Sequence, residues 1–259
     1  MRLNFYLRGL NKTEDPKAEN ELVGPNGEIV GRVKNGRPKF FPDYYVIPMS
    51  LDKDNDAQEA FNMIDYFKRN GVLVKELKED IGNYKKGDLV IDMAQAKRGY
   101  ANHILYKGSN ESAWAAMYAE LLVNFPDMRG FKSEPVFADG LFNGKLGEVT
   151  TTRATRTSEI DPKAPYYVIA NTSASAVKAI NLAISQGKSV YLTDDGYIVD
   201  RDTFASLLPN YAIYGDALYK VPSGPTLKPM KVYSPNYHYN WAGVDAPAHT
   251  SLVLEKLGF

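Results

Sequence analysis

A group of amide, basic and imidazole side chains directly follows a short β-rich segment in the first half of the chain. The segment is residues 88–92, and the side chains are Gln95, Lys97, Arg98, Asn102 and His103. In open α/β sheets, ligands bind at the ends of strands. Lys97 and Arg98 would there hold a carboxylate, while Gln95 and Asn102 would contact a peptide or a sugar. The alternative is that these side chains cap elements and tie the strand end to the next helix.

Two further groups of residues are candidates for ligand binding. Arg129, shortly after Pro126, is either a second anion-binding residue or a buried arginine that pairs with a carboxylate and fixes the turn. Tyr237, Tyr239 and Trp241 form an aromatic cluster that would stack on a sugar ring. The alternative for this cluster is packing in a core or an interface.

The histidines do not have the spacing of a zinc hydrolase. His103, His238 and His249 are followed three residues later by Tyr106, Trp241 and Leu252, so the chain has no His-x-x-Glu pair. Zinc peptidases need such ligands to hold the metal and leave one position for the water that it activates. The chain also has no cysteine, which excludes a thiolate nucleophile. We therefore expect no catalytic residues, no metal ligands and no cofactor within this chain.

Charge and hydropathy exclude several kinds of partner. The 259 residues include 31 basic and 31 acidic side chains, so the formal net charge is zero. A balanced charge gives no general electrostatic reason to bind nucleic acid. The chain has no apolar run of about 18 residues, and its N-terminus has no signal-peptide core. We expect no nucleic-acid partner, no membrane span and no signal peptide here.

Hydrophobic periodicity predicts an α/β fold with two similar β-α-β-β units and mostly parallel sheets. The predicted parts are an N-terminal extended arm (1–43), a first unit (44–150), a second unit (151–228) and an incomplete C-terminal β-α unit (229–259). Because no strand follows the last predicted helix, we infer a truncated parent protein or a strand supplied by another chain.

The two units begin with the same four letters. The sequence YYVI occurs at 44–47 and again at 166–169, and each copy precedes a helical pattern that ends at a glycine, Gly71 or Gly187. Both an internal duplication and two ordinary α/β units with similar strands fit this observation.

Several segments of the first unit together resemble a known family. They are 41–48 (FPDYYVIP), 69–72 (RNGV), 92–99 (DMAQAKRG), 105–106 (LY) and 124–131 (NFPDMRGF). Over residues 38–142, the chain resembles the non-catalytic C-terminal region of bacterial zinc carboxypeptidases, a metallopeptidase family of the carboxypeptidase A type.

This resemblance implies an accessory domain, with an amidotransferase-like α/β tail, in a secreted bacterial hydrolase. The zinc would then lie only in the parent's upstream peptidase domain, which would be the partner of this chain. The location would be extracellular or associated with the cell wall. The region would position the peptidase or bind a peptide or cell-wall ligand, and would not hydrolyse substrates alone. The alternative is a free-standing module that binds peptidoglycan or another glycan.

Overall fold

The chain divides into two compact units. A computed structural model describes residues 2–12, 39–106, 125–150, 159–233 and 241–259. Unit 1 comprises Met1–Met49 and Glu59–Thr155, and unit 2 comprises Ser50–Gln58 and Arg156–Phe259.

Unit 1 contains a five-stranded sheet with the strand order β4-β1-β3-β2-β5. The strands are β1 (Tyr44–Ile47), β2 (Lys75–Leu77), β3 (Leu89–Asp92), β4 (Glu134–Val136) and β5 (Leu146–Gly147). The helices among the described residues are α1 (Arg2–Leu10), α2 (Ala57–Arg69, of which the first two residues fall in unit 2), α3 (Arg98–Leu105) and α4 (Phe125–Arg129). All four residues of the interior strand β1 are buried, which explains why its sequence is continuously apolar rather than alternating.

Unit 2 contains a four-stranded sheet with the order β7-β8-β6-β9. The strands are β6 (Tyr166–Ile169), β7 (Tyr191–Thr193), β8 (Gly196–Asp200) and β9 (Asp216–Leu218), and the helices are α5 (Ala174–Ser185), α6 (Arg201–Leu207) and α7 (Trp241–Lys256). Side chains cap two of the helices. Ser173 Oγ accepts from the Ala176 N–H at 3.0 Å, and Asp200 Oδ1 accepts from the Thr203 N–H at 2.8 Å.

The prediction of mostly parallel sheets is wrong. In the described residues, every pair of neighbouring strands is antiparallel. Strands β1 and β2 both pair with β3 and so run in the same direction, as a β-α-β connection requires. However, β3 lies between them. A sequence pattern of strand, helix, strand and strand does not show whether the last strand adds to the edge of the sheet or lies between the first two strands.

The predicted terminal segments also need correction. The N-terminal arm is not extended throughout, because residues 2–10 form α1; residues 13–38 lie outside the described part. Residues 231–233, in the predicted C-terminal β-α unit, have no regular secondary structure, and Val232 and Tyr233 are 48% and 85% exposed. The helix of this predicted unit spans Trp241–Lys256.

The two units share one plan, down to the residues that face each other. Tyr44 pairs with Asp92 and Val136, and in unit 2 Tyr166 pairs with Asp200 and Leu218. This matching register favours an internal duplication over a chance similarity of two strands.

The turns and the fifth strand follow the same plan. Gly71 and Gly187 end the helices α2 and α5 with φ angles of 74° and 73°, the left-handed conformation typical of a helix C-terminus. In unit 1, the edge strand β5 pairs with β2. In unit 2, a bridge between Tyr191 and Thr226 occupies the same edge.

Candidate functional site

Gln95 belongs to the interior of unit 1. Its buried side chain accepts a hydrogen bond from the Leu73 N–H (2.9 Å) and donates to the carbonyl oxygens of Leu73 (3.2 Å) and Asp92 (2.6 Å). Both ends of the amide are therefore used to fasten the loop after β3 to the residues before β2.

Two predicted site residues of α3 are buried against other parts of unit 1. Asn102 Oδ1 accepts a hydrogen bond from the Tyr45 hydroxyl at 2.8 Å, and the Arg98 guanidinium lies 4.2 Å from the ring centroid of Phe41. These contacts join α3 to β1 and to the segment that precedes it.

The remaining predicted residues are nearer to solvent. His103 is exposed on α3, and Lys97 Nζ lies 5.3 Å from the Tyr6 ring centroid. Arg129 pairs with Glu59 at 3.1 Å, and its helix α4 contacts α3. Tyr237 and Tyr239 lie outside the described residues, as does the side chain of Trp241.

Helix α1 packs against the loop around Gln95, which the sequence analysis predicts as part of a ligand site. At Gly9 a Cβ atom would lie 2.5 Å from the Gln95 carbonyl oxygen and 3.3 Å from that of Ala96. Such an approach is possible only without a side chain. The chain's own N-terminal helix therefore covers part of this loop.

Lys12, just after α1, lies among three carboxylates. Its Nζ is 2.6 Å from Asp139 Oδ1 and 3.9 Å from both Asp43 Oδ1 and Asp92 Oδ1. Burial would lower the pKa of Lys12, but the hydrogen bond to Asp139 and the charge of Asp92 outweigh it and raise that pKa. The same hydrogen bond lowers the pKa of Asp139. The three ion pairs therefore hold the C-terminal end of α1 against the rest of unit 1.

We predict that Gly9→Ala releases α1 from unit 1. The new methyl group meets a backbone carbonyl that cannot turn away, and overpacking of this kind costs about 1–3 kcal/mol. Amide hydrogen exchange of residues 2–12 should accelerate accordingly. Leu7→Ala is the control, because this residue is 44% exposed on the same helix. Unchanged protection in Gly9→Ala would contradict the seating of α1.

Unit 2 carries an apolar groove of about 330 Å³ between α5, the β7–β8 hairpin, residues 227–230 and the chain's last residues. Its apolar lining consists of Val177, Ile180, Ile184, Leu192, Tyr197, Leu227, Pro229, Met230 and Phe259, and its polar lining of Asn171, Asn181, Ser185 and Lys228. Exposure is substantial at Met230 (71%), Phe259 (44%) and Leu192 (38%). Volumes of about 300–1,000 Å³ with a mainly apolar lining are typical of ligand sites.

The walls of this groove are held by ordinary local structure. Asn181 Nδ2 donates to the Leu257 carbonyl oxygen at 2.7 Å, which fixes the end of the chain against α5. The Leu227 N–H donates to the Val190 carbonyl oxygen at 2.8 Å, which fixes the other wall beside β7. The groove is thus formed by anchored segments, so little ordering would be required on binding.

The helix that forms the same face in unit 1 is charged. Because Gly71 and Gly187 end equivalent helices, Ile184 of the groove corresponds to Lys68. Lys68 is exposed and its charge lowers the pKa of Glu148, although the hydrogen bond from Lys75 is the larger cause of that shift.

The strand beside this helix is also polar in unit 1 and apolar in unit 2. Strands β2 and β7 pair equivalently with β3 and β8, so Leu192 corresponds to Glu76. Glu76 is buried; its carboxylate accepts from the Thr150 N–H at 2.7 Å and from Lys78 Nζ at 3.0 Å. Unit 1 therefore covers this position with its own hydrogen bonds and charges, whereas unit 2 leaves an apolar groove.

Sequence reasoning missed this groove. Its lining comes from several separate segments, and most members look like ordinary core residues of a helix and a hairpin. The available signal was the difference between the repeats, with Ile184 and Leu192 where the first copy has Lys68 and Glu76. To compare these positions one must know which residues of the two sheets are equivalent, and that requires the strand register, which the sequence does not supply.

Comparison with known proteins gives no match to a protein-family model, a curated protein or a solved structure. Across the described ranges, no group of three or more His, Asp or Glu residues is arranged to hold a metal ion. No helix in that part of the chain is long and apolar enough to cross a membrane.

Proposed function

We propose that this chain is an accessory, non-catalytic region of a bacterial zinc carboxypeptidase-type protein, and that it binds peptide in the groove of unit 2. The observation that carries the binding proposal is the anchored apolar groove, which has a charged and hydrogen-bonded counterpart in unit 1. The link to a zinc carboxypeptidase rests on the resemblance of residues 38–142. On this proposal the zinc and the catalytic residues belong to the parent's peptidase domain, outside or at the surface of the cell.

A peptide ligand fits the chemistry of the lining. Apolar side chains would contact Ile184, Leu192 and Met230, and amide groups would meet Asn171 and Asn181. Burial of apolar area supplies the affinity, at about 25 cal/mol per Å² before the cost of association. The polar groups would set the orientation of the bound segment.

We predict that Met230→Glu weakens binding of the acetylated, amidated tripeptide Ala-Leu-Phe about tenfold or more. The substitution removes an apolar contact with the ligand and places a carboxylate beside it, and the bound ligand would partly desolvate that charge. Met230 is 71% exposed, so the fold should tolerate the change. The measurement is isothermal titration of the full chain.

Val232→Glu is the matched control, because Val232 is 48% exposed two residues further along and does not line the groove. It should bind like the unsubstituted chain. A tripeptide of serine and asparagine should bind much more weakly than Ala-Leu-Phe. Equal binding of both peptides, or an equal loss in both variants, would contradict the proposal. Hydrolysis of blocked dipeptides by the chain with added zinc would refute its non-catalytic part.

The glycan-binding alternative depends on Tyr237, Tyr239 and Trp241. It stays a prediction, and Trp241→Ala combined with a cell-wall pull-down tests it. Loss of wall binding in that variant, with peptide binding unchanged, would favour the glycan module.

A further inference from the structure

We propose that the groove of unit 2 selects peptides that carry a carboxylate next to an apolar side chain, and that Lys228 binds this carboxylate. The inference rests on the proposed peptide-binding function and names the class of peptide.

The charge of the lining favours such a ligand. Among the described residues that line the groove, Lys228 has the one charged side chain, and no aspartate or glutamate is present. It is exposed at the rim, directly after Leu227, whose N–H is bonded to β7. An apolar surface whose one charged side chain is a lysine complements a ligand that has an apolar body and one negative group.

The same place in unit 1 already holds a carboxylate. Tyr191 of unit 2 corresponds to Lys75 of unit 1, one residue before Glu76. Glu76 pairs with Gly147, so Glu148 lies opposite Lys75, and in unit 2 Thr226 lies opposite Tyr191. Two residues further along, Lys228 therefore takes the position of Thr150. In unit 1, Thr150 binds a carboxylate there: its N–H lies 2.7 Å and its hydroxyl 3.2 Å from oxygens of Glu76.

The two copies therefore differ by a paired exchange. Unit 2 replaces the carboxylate-bearing Glu76 with Leu192 and replaces Thr150 with the cationic Lys228. In unit 1 Lys78 also binds this carboxylate, and its counterpart in unit 2 is Asp194. Unit 2 has thus lost the internal carboxylate and carries its cation at Lys228 instead. A carboxylate from a ligand would take the position that Glu76 fills in unit 1.

The source of the carboxylate is either a chain end or an acidic side chain. Three acetylated peptides separate these sources: Ala-Leu-Phe as the free acid, Ala-Leu-Phe as the amide, and Glu-Leu-Phe as the amide. We expect at least one carboxylate peptide to bind the full chain about threefold to tenfold more tightly than the Ala-Leu-Phe amide. Pairs exposed to solvent contribute modestly, and added salt should reduce the difference.

Substitutions assign the effect to Lys228. Lys228→Gln should bring the affinity of the carboxylate peptide down to that of the amide, and Lys228→Arg should retain the preference. Lys231→Gln is the control, since this exposed lysine does not line the groove.

The outcomes distinguish the two proposals. Equal binding of acids and amide to the unsubstituted chain would overturn the carboxylate inference and leave peptide binding intact. The carboxylate inference is also overturned if Lys231→Gln abolishes the preference and Lys228→Gln does not. Absence of binding by all three peptides would overturn both proposals. Tighter binding of octanoate than of any peptide would show that the groove takes a fatty acid and would overturn the peptide assignment.

Discussion

Gly196→Ala should destabilise unit 2 by about 2–6 kcal/mol, because two independent costs combine at this residue. Its φ angle is 133°, which side chains rarely adopt, and a Cβ atom would lie 2.3 Å from the Ile169 carbonyl oxygen. Backbone strain costs about 1–3 kcal/mol, and overpacking adds a similar amount. The clash separates β6 from β8, the central pair of the sheet. Guanidinium unfolding, with amide hydrogen exchange in β6 and β8 as the probe, measures the loss in the free energy of unfolding.

Gly187→Ala is the matched control for this substitution. Gly187 also has a positive φ angle, 73°, but a Cβ atom there would meet nothing within 4 Å. It should therefore cost only the conformational part, about 1 kcal/mol. Equal losses in the two variants would show that the contact with Ile169 is not as tight as the structure has it.

Phe204→Ala should cost about 3–5 kcal/mol, the range found for removing a buried aromatic side chain. The ring is fully buried and stacks on Tyr167, with centroids 4.3 Å apart and planes inclined by 11°. It also fills the space left by Gly215, where a Cβ atom would lie 2.7 Å from the ring. The free energy of unfolding of unit 2, from the same denaturation experiment, tests this expectation.

Ser206→Ala, on the exposed side of the same helix, is the control for Phe204→Ala. Its hydroxyl bonds only the Thr203 carbonyl oxygen among the described residues, and surface changes of this kind stay within about 0.5 kcal/mol. A loss below about 1 kcal/mol in Phe204→Ala would mean that the Tyr167–Phe204 stack is not the centre of this core.

The sequence predicted the existence of most elements but not their arrangement. The YYVI segments and the glycines at 71 and 187 predicted the first strand and the helix end of each unit, because burial and positive φ restrict residue choice strongly. Strand direction was predicted wrongly. It depends on the insertion of β3 between β1 and β2, a long-range pairing that local periodicity does not record.

The predicted binding residues illustrate a second limit. Gln95 and Asn102 are predicted to bind a ligand because they follow a strand. Polar side chains in such places also form the hydrogen bonds that buried backbone and side-chain groups need. The structure shows hydrogen bonds of this kind for both residues. The groove of unit 2 has the opposite property. Its residues look like core in the sequence, yet Leu192, Met230 and Phe259 are exposed in the part of the chain that the structure describes.

The most direct test of peptide binding by unit 2 is methyl NMR of the full chain titrated with the acetylated free acid Ala-Leu-Phe. We expect saturable shifts at Ile184, Leu192 and Leu227, which line the groove. Methyl groups of Ile64 and Leu89, which occupy in unit 1 the places of the groove residues Ile180 and Tyr197, should not respond. Shifts confined to unit 1, or no shift at all at millimolar peptide, would contradict the proposal that unit 2 is the binding site.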